Sequence, residues 1–154
     1  MAGEETQRVH CGSAEETSAV GERLGRGLPR RYPRGVTVLL VGPLGAGKTV
    51  MAQGIARGLG VTDPVISPTY TIISEYTAPG LRVHHVDLYR IEGRAQVENL
   101  GLDDIMRDGG VVMIEWGEKL EALRGGRLDG EHVRVTIAMA PGAARDITIE
   151  ERTQ

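Results

Sequence analysis

Apolar residues recur along this 154-residue chain at two different spacings, which indicate helices and strands. A capping-box pattern at residues 13–16 precedes apolar residues at helical spacing, so a helix is predicted there, and Pro29 and Pro33 are expected to end it. The nearly continuous apolar run Val36–Val41 is typical of a strand covered on both faces. Further predicted elements are a helix over 48–59, strands over 70–76 and 81–88, helices over 94–100 and 102–107, a strand over 111–114, a helical turn over 118–123, and strands over 133–139 and 146–149.

This mixture of strands and helices predicts an α/β fold in three layers, with a parallel core sheet and antiparallel edge strands. The segment Ala78-Pro79-Gly80 indicates a hairpin between two of the strands, and Pro141-Gly142 indicates a turn between the last two. The sequence contains no internal repeat and no long linker. We therefore predict a disordered N-terminal segment over residues 1–12 and a single domain over residues 13–154.

Composition and charge narrow the class of protein. Apolar residues make up 40% and charged residues 25%, which is typical of a soluble globular domain, and the net charge of −3 argues against a general nucleic-acid binder. Cys11 is the one cysteine, so an internal disulfide is excluded and a reducing compartment is favoured. No apolar stretch approaches the roughly 18–20 residues of a membrane helix, and the polar N-terminus does not resemble a signal peptide. These features predict a cytoplasmic protein without membrane contact.

The most informative motif is Gly42–Thr49, which fits G-x-x-x-x-G-K-[ST] between a predicted strand and a predicted helix. Small residues let backbone N–H groups surround a phosphate, the helix N-terminus adds positive potential, and the lysine adds a full charge. The hydroxyl of the last residue can ligate Mg²⁺. We therefore predict a three-layer P-loop NTPase fold that binds a nucleoside triphosphate through Leu44, Gly45, Ala46, Gly47, Lys48 and Thr49.

Two acidic residues follow apolar strands and are candidates for a second Mg²⁺ contact. Glu115 follows the run Val111–Ile114, and Asp87 follows a second predicted strand. Four consecutive apolar residues make Glu115 the better candidate for the metal. The alternatives are that Glu115 caps the turn after its strand and that Asp87 forms a structural salt bridge with Arg90.

Three further features have both a functional and a structural interpretation. The hydroxyl-rich loop 67–70 either folds over a γ-phosphate or is an ordinary turn. Trp116 either packs near the nucleotide or fills the core. His84 and His85 are adjacent on a predicted strand and point to opposite faces, so they do not easily ligate one ion together, and a core or surface role is favoured over a metal role.

The phosphate loop, S-P-T-Y-T at 67–71, H-V-D-L-Y-R at 85–90 and I-E-W at 114–116 occur in an order and spacing that resemble the TsaE family, also called YjeE. Each later motif is modest alone, but the set is specific, and the resemblance covers nearly the whole chain. It implies a small bacterial ATPase of tRNA threonylcarbamoyladenosine (t6A) biosynthesis that uses ATP and Mg²⁺. Its implied partners are the TsaB and TsaD proteins, which attach the threonylcarbamoyl group to tRNA.

The resemblance implies an ATPase that hydrolyses ATP between turnovers of the transferase complex and is nearly inactive alone. The acidic net charge of the chain separately argues for tRNA contact that is indirect or weak. The resemblance also implies roles for single residues. Lys48 and Thr49 hold phosphate and Mg²⁺, Glu115 contacts the metal, Asp87 is the essential acid, Thr69 lies in a switch-like loop, and Thr17 lies near the nucleotide.

Two positions depart from the family pattern. The family usually has Asp where Pro43 stands and Pro where Gly117 stands. Pro43 lacks the N–H and the carboxylate of Asp, so any contact made by that Asp is lost, while the flanking positions of the loop remain.

Other classes of protein use the same loop. A small-molecule or nucleotide kinase is the main alternative, but it usually carries an Arg-rich lid insertion, and none is evident after Thr49. The guanine-specific motif N-K-x-D is impossible because the only asparagine, Asn99, is followed by Leu100. A binding module that holds nucleotide without turnover is a third possibility.

Overall fold

The computed structural model describes residues 3–126, 128 and 130–153. Residues 127, 129 and 154 of the predicted domain, and residues 1 and 2 of the predicted disordered segment, lie outside the described residues. In chain order, the strands are β1 (Gly3–Cys11), β2 (Val36–Val41), β3 (Ile73–Ala78), β4 (Leu81–Asp87), β5 (Val111–Glu115), β6 (His132–Met139) and β7 (Arg145–Thr153). The helices are α1 (Ala14–Arg31), α2 (Lys48–Leu59), α3 (Arg94–Asn99), α4 (Leu102–Arg107) and α5 (Gly117–Leu123).

Seven strands form one sheet in the order β1-β7-β6-β2-β5-β4-β3. The central strands β6, β2, β5 and β4 are parallel, whereas β3 pairs antiparallel with β4, and β7 and β1 extend the other edge antiparallel. The predicted fold class, a parallel core sheet with antiparallel edge strands, is therefore confirmed. The hairpin predicted at Ala78-Pro79-Gly80 joins β3 to β4.

Strand β2 is apolar along its length because both of its faces are covered. Val38 and Leu40 belong to the hydrophobic core on the α1–α2 side of the sheet. Leu39 and Val41 belong to a second core on the other side, together with residues of α3, α4 and α5. Within the described residues, no helix is long and apolar enough to cross a membrane.

Glycines let the first two helices approach closely, and this contact holds the helix that follows the phosphate loop. A Cβ on Gly25 of α1 would overlap the backbone carbonyl of Ile55 in α2, and a Cβ on Gly54 of α2 would overlap the carbonyl of Ser18. Because only glycine leaves room for backbone at these points, α2 is packed directly against α1.

Most element boundaries agree with the sequence-based expectations, and α2 spans the predicted residues 48–59. Strand β3 begins at Ile73 rather than at residue 70, because residues 68–72 form a turn in which the Ile72 N–H donates to the Pro68 carbonyl. The expectation that Pro29 ends α1 is wrong. Pro29 is exposed in the last turn, and the helix continues to Arg31.

The prediction that residues 1–12 are disordered is wrong for the described part of that segment. Strand β1 pairs with β7 along its length, from Gly3 opposite Thr153 to Cys11 opposite Arg145. Its side chains are mostly exposed, so it lacks an apolar pattern, and its pairing depends on backbone hydrogen bonds to a strand more than 130 residues away. Only near its end do side chains reach the core, where Val9 packs against it and Cys11 is 1% exposed.

We predict that Cys11 reacts slowly with a thiol reagent in the native protein. Burial raises the pKa of the Cys11 thiol, so less thiolate is present at pH 8, and the reagent must wait for β1 to open. Alkylation by iodoacetamide should be slower than in the unfolded chain by at least about tenfold, which corresponds to about 1.4 kcal/mol of opening free energy.

A variant that combines Cys11→Ser with Thr62→Cys serves as the control, because Thr62 is exposed and its thiol should react at the unfolded rate. If Cys11 in the native protein reacted as fast as this control thiol, the N-terminal segment would not be docked on β7.

Candidate functional site

The segment Gly42–Thr49 connects the carboxyl end of β2 to the N-terminus of α2. Gly45 and Gly47 have φ angles of +80° and +106°, a region that residues with a Cβ rarely adopt. These glycines turn the chain so that the first turn of α2 faces the cavity above the strand ends. The N–H groups of a first helical turn have no partner within the helix, and they give this end of α2 positive potential.

Lys48 is a buried cation held by neutral groups. Its side-chain Nζ donates to the carbonyl oxygens of Gly42 at 2.5 Å and Pro43 at 2.9 Å, and it lies 3.8 Å from the centroid of the Trp116 ring. The residue is only 5% exposed. Burial lowers the pKa of Lys48, and the nearby carboxylates of Glu118, Glu115 and Asp87 oppose that shift. In the described part of the chain, no carboxylate lies within salt-bridge distance of this ammonium group, so it can accept an anion as partner.

Arg145 at the start of β7 holds the outer side of the same loop. Its guanidinium donates to the carbonyl oxygens of Ala46 at 2.9 Å and Gly45 at 3.3 Å. It also donates to the carbonyl oxygens of Gly142 and Ala144 in the turn before β7. These bonds direct loop carbonyls away from the cavity and connect the phosphate loop to the edge of the sheet.

Thr49 and Glu115, the two residues predicted to contact a metal, are directly hydrogen-bonded. The Thr49 hydroxyl lies 2.9 Å from Glu115 Oε1 and 3.0 Å from Oε2. Glu115 ends β5 and is 3% exposed. Its Oε2 is also 2.6 Å from Nε2 of His85, which is completely buried. The first turn of α2 and the end of β5 therefore meet at one carboxylate, and among the described residues the Glu115 side chain bonds Thr49 and His85 instead of capping the turn that follows it.

Asp87, the other predicted acid, binds the loop at residues 67–70. Its Oδ2 accepts hydrogen bonds from the hydroxyls of Thr69 at 3.1 Å and Ser67 at 3.3 Å, and its Oδ1 accepts from the N–H of Tyr89 at 2.9 Å. Asp87 is 4% exposed. The alternative salt bridge to Arg90 is not formed among the described residues, since the Arg90 guanidinium lies over the Tyr70 ring at 5.4 Å.

Trp116 follows Glu115 with a backbone conformation that is unusual for its type. Its φ is +61°, a left-handed geometry that costs a non-glycine residue about 1–2 kcal/mol. This turn begins α5 and places the indole between Lys48 and the ring of Tyr89, whose centroid is 5.2 Å away. Trp116 is partly buried and lines the site, so it does not serve only to fill the core.

A cavity of about 380 Å³ joins these groups, which is a volume typical of sites for small ligands. Of the residues predicted to bind nucleotide or metal, Thr17 alone is absent from its lining. Thr17 is 1% exposed and lies next to the Cys11 thiol, so its proposed proximity to nucleotide stays a prediction. The lining comprises Leu44, Gly45, Ala46, Gly47, Lys48, Thr49, Val50, Ser67, Thr69, Asp87, Tyr89, Glu115 and Trp116.

A larger depression of about 710 Å³ between α3, α4 and α5 is a weaker candidate. Its cationic groups already have partners: Arg124 bonds Asp103, Arg107 bonds Asp104, and Arg94 donates to the Leu123 carbonyl. It contains neither a phosphate-binding loop nor an unpaired buried cation, so we place the functional site in the smaller cavity.

The donor groups of the smaller cavity fit a magnesium–polyphosphate group better than a free metal ion. No group of three or more His, Cys, Asp or Glu side chains in the described residues could hold a metal. Mg²⁺ commonly takes one or two protein oxygens and completes its shell with water and phosphate, and Thr49 and Glu115 are two adjacent oxygen donors. Lys48 and the helix N-terminus would face the phosphates.

Sequence reasoning missed several residues of the site. It assigned His85 to the core or the surface, although the position two residues before Asp87 on a strand indicates a side chain on the same face as Asp87. Ser67 and Tyr89 were parts of recognised motifs but had no assigned role. Arg145 had no local signal, because its contact spans 99 positions in the chain.

Comparison with known proteins gives concordant results. The family model of the threonylcarbamoyl adenosine biosynthesis protein TsaE matches residues 11–147 of the chain. The tRNA threonylcarbamoyladenosine biosynthesis protein TsaE of Bacillus subtilis is 41% identical over 135 residues, which are 87% of this chain and 78% of that protein. The protein of the same name from Treponema pallidum is 32% identical over 137 residues, covering 89% of this chain and 95% of its own length.

Among solved structures, a crystal structure of Bacillus subtilis YdiB matches the fold with a TM-score of 0.73 and 30% sequence identity. The match covers 97% of this chain and 87% of that one. The structural similarity therefore extends over nearly the whole chain.

Proposed function

The chain belongs to the TsaE family, and from this membership and the geometry of its site we propose that it is a Mg²⁺-dependent ATPase of tRNA t6A biosynthesis. In this proposal it binds Mg–ATP and hydrolyses it in complex with the TsaB–TsaD transferase, which supports turnover of that complex. The chain acts in the cytoplasm, and its contact with tRNA is indirect or weak.

The observation that carries the proposal is the buried ammonium group of Lys48 beside the first turn of α2. Carbonyl oxygens and an aromatic ring stabilise this cation without neutralising it. In a site of low dielectric, an anionic phosphate compensates such a charge far better than water-exposed groups could. A nucleotide with its phosphates at the phosphate loop satisfies both Lys48 and the backbone N–H groups of the loop.

Thr49 and Glu115 would hold the Mg²⁺ ion that accompanies the nucleotide. When bound, the ion neutralises phosphate charge and orients the phosphates for in-line attack. Within the chain, the Thr49 hydroxyl donates a hydrogen bond to the Glu115 carboxylate, and this contact already holds the hydroxyl oxygen within 3.0 Å of both carboxylate oxygens. Metal binding then requires little movement of either side chain.

Asp87 is assigned to the positioning of the loop 67–70 and of the attacking water. Its carboxylate lines the cavity and accepts hydrogen bonds from two hydroxyls of that loop. A loop held by two moderate hydrogen bonds at the entrance of the site can change its order with the state of the nucleotide. This gives a physical basis for a partner that senses whether ATP or ADP is bound.

We predict that the purified chain alone hydrolyses ATP slowly and that addition of the TsaB and TsaD proteins accelerates it. The acceleration should be at least about tenfold, which corresponds to about 1.4 kcal/mol of activation free energy. The Lys48→Ala variant should show no acceleration, because the phosphates lose their charged partner. Phosphate release measured with and without the partners checks this.

Fast phosphate transfer to a small acceptor by the isolated chain would contradict this proposal and favour a small-molecule or nucleotide kinase. Binding of ATP without turnover, under every partner condition, would instead favour a binding module.

We further predict that Glu115→Gln weakens ATP binding in the presence of Mg²⁺ by at least about tenfold and leaves binding in EDTA unchanged. Loss of a residue that hydrogen-bonds a metal ligand lowers metal affinity about 10–100-fold, and loss of the ligand itself lowers it at least as much. Asp87→Asn, which is the matched control, should retain Mg²⁺-dependent binding and lose the partner-stimulated hydrolysis. Equilibrium titrations of the two isosteric variants with ATP check both assignments. If Asp87→Asn alone abolished the effect of Mg²⁺, the roles assigned to Asp87 and Glu115 would have to be exchanged.

A further inference from the structure

His85 is a completely buried polar residue for which the proposed function has no role so far. It lies on β4 two positions before Asp87, so both side chains project from the same face of the strand. Its neighbour His84 projects from the opposite face, where its Nε2 is 3.9 Å from Glu75. The two adjacent histidines therefore belong to different environments, and only His85 faces the site.

The ring of His85 makes one short polar contact, between Nε2 and Glu115 Oε2 at 2.6 Å. Its other nitrogen, Nδ1, is buried and has no hydrogen-bond partner among the described residues. A buried N–H group without a partner is costly. The ring hydrogen therefore lies on Nε2, where it is donated to the carboxylate, and His85 is a donor to Glu115.

This bond fixes the orientation of the carboxylate. Glu115 Oε2 accepts from His85, and both carboxylate oxygens accept from the Thr49 hydroxyl, so the carboxylate plane is held from two sides. The strand register contributes, because Asp87 is paired with Glu115 across β4 and β5, and His85 reaches the same carboxylate from two residues earlier. Without His85, the Thr49 hydroxyl would be the only side-chain donor left to this carboxylate within the part of the chain that the structure describes.

We propose that His85 is a positioning residue that aims the Glu115 carboxylate at Thr49, so that the pair is preorganised to hold the Mg²⁺ of a bound nucleoside triphosphate. This inference rests on the proposed function, since it requires a Mg²⁺-dependent nucleotide site. Donors that orient metal-ligating carboxylates commonly contribute about 10–100-fold to metal affinity. His85 acts through Glu115 and does not touch the nucleotide.

The test is an equilibrium titration of ATP, in Mg²⁺ and in EDTA, followed by the emission of Trp116. Trp116 is the chain's one tryptophan, and its ring lies 3.8 Å from Lys48 Nζ, so its emission reports occupation of the site. His85→Leu removes the donor, and His85→Gln retains an N–H group close to the position of Nε2. His84→Leu is the matched control on the opposite face of the same strand.

We expect His85→Leu to weaken ATP binding in Mg²⁺ by about 10–100-fold and to leave binding in EDTA unchanged. His85→Gln should recover most of the loss, and His84→Leu should behave like the unsubstituted chain. Thermal unfolding of each variant shows that it is folded. If His85→Leu does not fold, His85→Asn replaces it, because the shorter amide does not reach the position of Nε2.

Unchanged Mg²⁺ dependence in His85→Leu would overturn the inference, and so would equal losses in Mg²⁺ and EDTA, which indicate a packing role. Failure of His85→Gln to recover binding would overturn the assignment as a hydrogen-bond donor. If the unsubstituted chain binds ATP but shows no Mg²⁺ effect, this inference fails together with the assignment of Thr49 and Glu115 to the metal, while the proposed nucleotide site stands. If it binds no ATP in either condition, the proposed function itself fails.

Discussion

The parallel pairing of β2, β5 and β4 is the constraint on which the site depends. In this register Leu40 of β2 lies opposite Glu115 of β5, and Glu115 lies opposite Asp87 of β4. The carboxyl ends of these strands therefore meet at one edge of the sheet, beside the phosphate loop. A slip of one residue in β5 would turn Glu115 to the other face, away from Thr49. Because both faces of these strands are buried in separate cores, such a slip would also move side chains from each core into the other and disrupt the packing of both.

The same arrangement concentrates charge where water is excluded. Lys48, Asp87 and Glu115 are each no more than 5% exposed, and each is held by hydrogen bonds instead of by a direct ion pair between them. Charges in such surroundings cost folding free energy, which the two hydrophobic cores must offset. The left-handed conformation of Trp116 adds to this cost. A site that is expensive for the fold and complementary to an anion is typical of a functional centre.

The sequence predicts the parts of this molecule whose signals are local. Continuous apolar runs identify β2 and β5, the glycines and Lys48 identify the phosphate loop, and the position after a buried strand identifies Glu115. Contacts between distant segments have no such signal. The edge strand β1 is polar, and backbone pairing with β7 is what orders it. Arg145 reaches the loop across 99 positions, and the bond between His85 and Glu115 depends on the register of two strands.

The proposed role of this site is to couple ATP hydrolysis to tRNA modification. The most direct measurement is the t6A content of tRNA, determined from hydrolysed nucleosides, in cells depleted of this protein and complemented with either the unsubstituted chain or Lys48→Ala. We expect t6A to disappear on depletion, to return with the unsubstituted chain and to stay absent with Lys48→Ala, because that variant lacks the buried cation proposed to bind the phosphates. Undiminished t6A in the depleted cells would contradict it.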